Sequence, residues 1–258
     1  MSGRGRLTVV GLGPGDPRLL TGAAAQALEE AQDLVGYEPY VARVPERPGQ
    51  RRHASDNRVE LDRARHALEL AASGRRVAVV SGGDPGVFAM AAAVFEAIEA
   101  GDPAWRGLDV AVEPGITAML AAAARVGAPL GGDFCALSLS DNLKPWAVVE
   151  ARLEAVLRAD LVVALYNPIS KARPWQLGAA FDLALRIRPA DTPVVLARAV
   201  TRPDEAIRVL PLGEARNAPA DMATVVVLGA SGTRLIARGE GLAPIVYTRR
   251  SVPAPEAA

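Results

Sequence analysis

The 258-residue sequence predicts an α/β protein built from two α/β domains. Three observations carry this expectation. Short β-branched runs end repeatedly in glycine-rich turns, stretches with helical apolar spacing follow them, and beyond about residue 114 strands begin to outnumber helices.

Leu7–Gly13 opens the pattern as a buried strand closed by glycines, and a helix is expected from about Leu19 to Gln32 with Thr21 as an N-cap. Asp33–Gly36 reads as a short strand, and 37–50 as a proline-broken loop. Leu61, Ala64, Leu68 and Ala71 fall at helical spacing, which predicts a helix over 59–73 that stops at Gly74. Val77–Ser81 is the next buried strand. A helix over 86–100, a strand over 109–113 and a helix over 116–126 follow. Strand and helix alternate throughout this half, which predicts a mostly parallel sheet with helices on both faces.

The second half reads as strands at 134–140, 161–166, 193–200, 206–210, 224–229 and 244–248, with helices at 146–158 and 175–187. Its last strands are spaced by turns, so a mixed sheet is expected. The boundary is placed near Pro114-Gly115, giving domains over 1–113 and 114–250 and a tail over 251–258.

Composition excludes several classes. Basic and acidic residues number 29 each, so the balance predicts no nucleic-acid partner. Arginine dominates the basic set; Lys144 and Lys171 are the lysines. A single cysteine, Cys135, rules out a disulfide within the chain, and two histidines, His53 and His66, at a separation of 13 do not match zinc spacing. No metal site is expected. The longest apolar run, 87–98, is interrupted by Glu96, so no membrane span is expected and the protein reads as cytoplasmic.

Three loops carry the functional signal. The first, Gly11-Leu12-Gly13-Pro14-Gly15-Asp16, follows a strand but breaks the dinucleotide fingerprint, because its third glycine comes early and a proline intervenes. By itself it is compatible with a tight turn or with a ligand loop. The second is Ser81-Gly82-Gly83-Asp84-Pro85-Gly86. Here Asp84 suits a cationic sulfonium or a ligand hydroxyl, and equally an N-cap with Pro85 at the first helical position. The third is Pro114-Gly115-Ile116-Thr117-Ala118, where Thr117 can bond a ligand or cap a helix. Loops at the carboxyl ends of neighbouring strands describe a ligand crevice.

Together, in this order, the three loops resemble those of the tetrapyrrole (precorrin) methylase family, and the resemblance covers nearly the whole chain. It implies two α/β domains with S-adenosyl-L-methionine in the cleft between them, and a homodimer. Further segments resemble the branch that methylates C17 of precorrin-3B and contracts the ring to precorrin-4: Gly36–Tyr40, Ala54–Arg58, Ser138–Trp146 and Leu165–Ser170. The cobalt-loaded substrate of the anaerobic route shares much of that pattern, and a non-catalytic tetrapyrrole carrier is the alternative from a different class.

The resemblance implies cofactor contacts at Gly13, Pro14, Gly82, Gly83, Asp84, Val87, Phe88, Thr117, Ala118, Tyr166, Asn167, Ala199 and Thr224. A polycarboxylate ring calls for cations and neutral donors. Asp16, Asn57, Arg58, Ser140, Asn142, Lys144, Ser170 and Arg173 are the substrate candidates, with Ser138 and Lys171 beside them. Each arginine is equally compatible with a solvated surface position. Tyr37, Tyr40, Trp146 and Tyr166 are candidates to wall a flat macrocycle. Trp175 and Cys135 are expected in the core, and His66 on the surface. Methyl transfer from a sulfonium needs alignment rather than a metal or nucleophile. Ring contraction also needs proton transfer, for which Asp56, Asp141, Asp16 and His53 are the candidates.

Overall fold

The computed structural model describes residues 5–56 and 59–251. They form two compact units, Met1–Thr117 and Ala118–Ala258.

The first unit is a five-stranded, wholly parallel sheet in the order β3-β2-β4-β1-β5. Its strands are β1 (Arg6–Gly11), β2 (Asp33–Tyr37), β3 (Arg51–Ser55), β4 (Arg76–Ser81) and β5 (Asp109–Glu113). The central β1 and β4 are continuous apolar runs because helices cover both of their faces. Leu7, Val9, Val77 and Val79 pack against α3 (Glu60–Ala72) and α4 (Met90–Ala100). Val10, Leu34, Ala78 and Val80 face α1 (Gly22–Glu30) and α2 (Glu38–Val41).

Thr21 caps α1 as expected, its side chain accepting from Ala24 N at 3.1 Å. Three features depart from expectation. Inside the proline-broken loop, 38–41 forms the short helix α2. Arg51–Ser55 forms an edge strand, although its polar residues show no apolar alternation. The helix expected from residue 86 starts only at Met90, because Phe88 adopts a left-handed φ of 52° that interrupts the helical path.

The second unit centres on a mixed sheet ordered β10-β9-β11-β8-β7. These strands are β7 (Phe134–Ser138), β8 (Val162–Tyr166), β9 (Pro193–Arg198), β10 (Ala206–Pro211) and β11 (Thr224–Leu228). Only β7 and β8 pair in parallel. The amphipathic α6 (Trp146–Arg158) and α7 (Gln176–Leu185) bury Leu153, Leu157 and Phe181 in the core. A small sheet of β6 (Gly127–Ala128), β12 (Thr233–Ile236) and β13 (Ile245–Thr248) lies beside α5 (Ala118–Val126), and the one-turn α8 (Leu212–Ala215) follows β10. The sequence reading missed β6, β12 and α8, each too short to show a period. Among the described residues, no helix is long and apolar enough to cross a membrane.

Candidate active site

In the first unit the three loops leave the carboxyl ends of β4, β1 and β5, which are adjacent strands. They are cross-tied by backbone. Gly13 N donates to Gly83 O at 3.1 Å, and Gly83 N returns a bond to Gly13 O at 2.9 Å. The approach is so close that a Cβ on Gly11 would lie 2.6 Å from Gly115 N and 2.8 Å from Gly83 O, and one on Gly115 would collide with Gly83 O. Glycine is required at these positions by the packing of the loops against one another.

Asp84 is the polar centre of this edge. Its Oδ1 accepts from Gly86 N at 2.8 Å and its Oδ2 from Gly115 N at 3.0 Å, so one carboxylate joins the second loop to the third. It does not cap α4, which begins six residues later. Arg43, which the sequence reading passed over, donates from Nη2 to Leu12 O at 3.0 Å and Gly13 O at 3.1 Å and fixes the first loop. Tyr40 lies over Gly82, where an added Cβ would fall 2.8 Å from its ring, and packs edge to face with Tyr37 at 5.4 Å. Gly13, Pro14, Gly82, Gly83, Asp84, Val87, Phe88 and Thr117 are thus gathered on the three loops; Thr117 is buried and Phe88 half-exposed.

Other candidates in this unit lie elsewhere or have local partners. Asp16 caps the short 3-10 turn Pro17–Leu19 and pairs with Arg18 at 2.6 Å. His53 is turned away from the loops. Its Nε2 lies 2.9 Å from Asp33 Oδ1 and its Nδ1 3.1 Å from His66 Nε2, and Asp33 begins β2 at the amino end of the sheet. His66, expected on the surface, is therefore half-buried against His53. Asp33 is fully buried and also takes a bond from Arg75 Nε. Burial pushes the Asp33 carboxyl upward, but the bonds from Arg75 and His53 outweigh this and hold it below the usual range. Asp56 lies at the carboxyl end of β3, where its carbonyl accepts from the buried Arg63. Burial lowers the Arg63 guanidinium against the opposing pull of Glu60 and Asp56. Asn57 and Arg58 lie outside the described residues.

In the second unit the carboxyl ends of β7, β8 and β9 and the start of β11 share one edge. Ser138 ends β7, where its Oγ accepts from Asn167 Nδ2 at 3.0 Å and from Ser140 N at 3.3 Å. Tyr166 ends β8, and its hydroxyl accepts from Met119 N at 3.0 Å, beside Ala118 at the start of α5. Ala199 N bonds Ala223 O at 2.9 Å, next to Thr224, whose hydroxyl donates to Asp221 Oδ1 at 3.0 Å. Asn167 and Ala199 have φ of 51° and 48°. With Phe88, three candidate positions thus adopt a backbone conformation that costs about 1–3 kcal/mol each outside glycine and that clusters at functional sites.

Arg173 is buried. It donates from Nη1 to Asn167 O at 3.1 Å and from Nη2 to Met222 Sδ at 3.4 Å, while its backbone pairs with Ser170. Asp141 is half-buried, Asn142 and Lys171 are exposed, and Lys144 lies between. Burial and Arg152 push the Lys144 ammonium down, and Asp141 opposes them. Trp175, expected in the core, is half-exposed and stacks edge to face on Trp146 at 4.8 Å. Cys135 is half-buried against the core, which raises its thiol. Among the described residues no cluster of His, Cys, Asp or Glu could hold a metal ion.

A parallel sheet ending in three interlocked glycine loops is thus followed in the chain by a mixed α/β unit with its own polar strand-end edge. The model of the Tetrapyrrole (Corrin/Porphyrin) Methylases matches residues 6–216, and the chain belongs to that family. It is 57% identical to the precorrin-3B C(17)-methyltransferase of Sinorhizobium sp., across 95% of this chain and 96% of that protein. It is 38% identical to the probable cobalt-factor III C(17)-methyltransferase of Salmonella typhimurium, across 94% and 99%. The crystal structure of the methyltransferase CobJ superposes with a TM-score of 0.88 at 53% identity, across 95% of this chain and all of that one. The uroporphyrin-III C-methyltransferase of Thermus thermophilus, complexed with S-adenosylhomocysteine, shares the fold at a TM-score of 0.68 and 23% identity, across 87% and 97%.

Proposed function

We propose that this chain transfers a methyl group from S-adenosylmethionine to C17 of precorrin-3B with contraction of the macrocycle to precorrin-4, in cobalamin biosynthesis. The observation that carries the reading is the 57% identity to a precorrin-3B C(17)-methyltransferase along nearly the full length of both chains. The 38% identity to a cobalt-factor III enzyme supports the second reading, a cobalt-loaded ring, less strongly. A carrier without catalysis would not need three loops packed so closely that a Cβ cannot enter.

The residues at the glycine loops fit the cofactor. The loops hold one another through backbone bonds and carry a partly exposed carboxylate, Asp84, whose charge complements a cation bearing hydroxyls. When bound, S-adenosylmethionine supplies an electrophilic methyl group on sulfur. Asp84 holds the second and third loops together and offers its remaining lone pairs, Phe88 contributes an apolar wall, and Thr117 and Ala118 complete the loop side. Within the second unit, Tyr166, Asn167, Ala199 and Thr224, at or beside strand ends, are cofactor contacts that the family resemblance implies. In-line alignment of reacting atoms is worth about 7–11 kcal/mol in well-oriented systems.

A ring that gains a methyl cation equivalent must release a proton, and the chain supplies carboxylates to receive it. Asp141 and Asp56 lie at strand-end loops, whereas His53 is held by Asp33 at the other end of its sheet. Acetate and propionate arms call for cations and neutral donors, and Lys144, Ser140, Asn142, Ser170 and Arg173 are the candidates for that role in the second unit. The reading carries with it a cytoplasmic homodimer, which sedimentation of the purified protein tests.

Isothermal titration with S-adenosylhomocysteine tests the cofactor assignment. Saturable binding at one site per chain is expected, weakened about tenfold or more in Asp84→Ala, equivalent to at least ~1.4 kcal/mol. Folded protein without binding would overturn the methyltransferase reading.

A further inference from the structure

Gln176 opens α7 and is 1% exposed, yet it is polar. Its Nε2 lies 3.2 Å from Asp141 Oδ1 and 3.1 Å from Asp141 Oδ2, while its Oε1 is buried without a partner among the described residues. Leu177, Ala180 and Phe181, which follow on the same helix, are buried in the apolar core. A leucine at 176 would satisfy that environment without an unmatched carbonyl, whose burial is unfavourable. Both contacts of the amide nitrogen go to one carboxylate.

The carboxylate it holds has little other support. Asp141 sits in the open 139–145 segment, beside Leu143, which is 93% exposed. Lys144, on the same loop, interacts electrostatically with it, and Arg152 of α6 acts on Lys144. An arginine in place of Gln176 would form an ion pair with Asp141. The neutral amide holds both carboxylate oxygens by hydrogen bonding without adding a formal charge. The orientation of the amide follows from charge: turned over, it would set Oε1 against the carboxylate.

We propose that Gln176 is a positioning residue that holds Asp141 in one orientation as the acceptor of the proton released during ring contraction. This rests on the functional reading above. The Trp146–Trp175 stack immediately precedes Gln176 and anchors the start of α7.

The experiment compares wild type, Gln176→Leu and Gln176→Glu in turnover of precorrin-3B with S-adenosylmethionine, alongside titration with S-adenosylhomocysteine. Gln176→Leu is expected to lower kcat about 10- to 100-fold, with KM changed less than threefold and S-adenosylhomocysteine affinity less than twofold. Gln176→Glu places two carboxylates within hydrogen-bonding distance, and they must share a proton. The acidic limb of its pH–rate profile is expected to move up by at least one pH unit. Unchanged kcat and an unchanged profile in the folded variants would overturn the assignment, as would parallel loss of kcat, cofactor affinity and melting temperature, which marks a purely structural residue. A wild type that binds S-adenosylhomocysteine but does not turn over precorrin-3B would instead sink the functional reading, and this proposal with it.

Discussion

At Gly115 only a hydrogen fits, because Gly83 O and the Gly11 backbone occupy the space a side chain would take. Gly115→Ala should therefore destabilise the protein by about 1–3 kcal/mol in urea unfolding, the range for overpacking a tight contact. It should also weaken S-adenosylhomocysteine binding. Gly107→Ala is the control: nothing lies within 4 Å of its Cβ position, and a change within about 0.5 kcal/mol is expected. The three loops were legible from sequence because each glycine cluster ends an apolar run. Asp84 was legible as important, but the sequence left its role open between ligand and cap. The structure makes it the tie between two loops, 31 residues apart in sequence. Gln176 and Arg43 gave no local signal, since each acts on a residue more than 25 positions away. Periodicity carries no information about such partners.

Among the elements, the turn between α6 and β8 offers a separable test. Arg188 is buried and pairs with Asp160, which also bonds Ser231 and adopts a φ of 60°. Burial pushes the Arg188 guanidinium down. Asp160→Asn keeps the turn but strands that cation, and a loss of about 2 kcal/mol in urea unfolding is expected, below the fully buried case because Asp160 is partly exposed. Arg188→Met, which removes the buried charge altogether, should cost less. In the first unit, Asp33 links β2 to His53 of β3 and to Arg75. Its carboxyl is held below the usual range, so its stabilising contribution is complete above the ordinary carboxylate value of about 3.9 and is lost as pH falls through the lowered one. The melting temperature of wild type should fall more steeply below about pH 4 than that of Asp33→Asn. The elements themselves were unevenly legible. β5 and α6 stand at their predicted residues because their apolar patterns begin and end sharply. β3 was hidden because Arg51-Arg52-His53-Ala54-Ser55 is an edge strand whose pairing, not its burial pattern, defines it. The start of α4 was misplaced because Val87 and Phe88 extend an apolar run across a break that only a backbone angle reveals.

For the molecule as a whole, a charge balance of 29 against 29 sets no preference for partners, so any recognition of a charged ligand falls to individual side chains rather than to net charge. The ordered loops carried the family resemblance, and the sequence named Asp56, Asp141, Asp16 and His53 as proton-transfer candidates. The contacts of Asp141 with Gln176 and of His53 with Asp33 and His66 emerged only in three dimensions. The central claim is the reaction itself. The most direct measurement is incubation of the purified protein with S-adenosylmethionine and metal-free precorrin-3B, followed by mass and NMR analysis of the product. The account predicts one added methyl group, sited at C17, on a contracted ring. A methyl at another carbon, an uncontracted product, or turnover of a cobalt-loaded ring alone would contradict it.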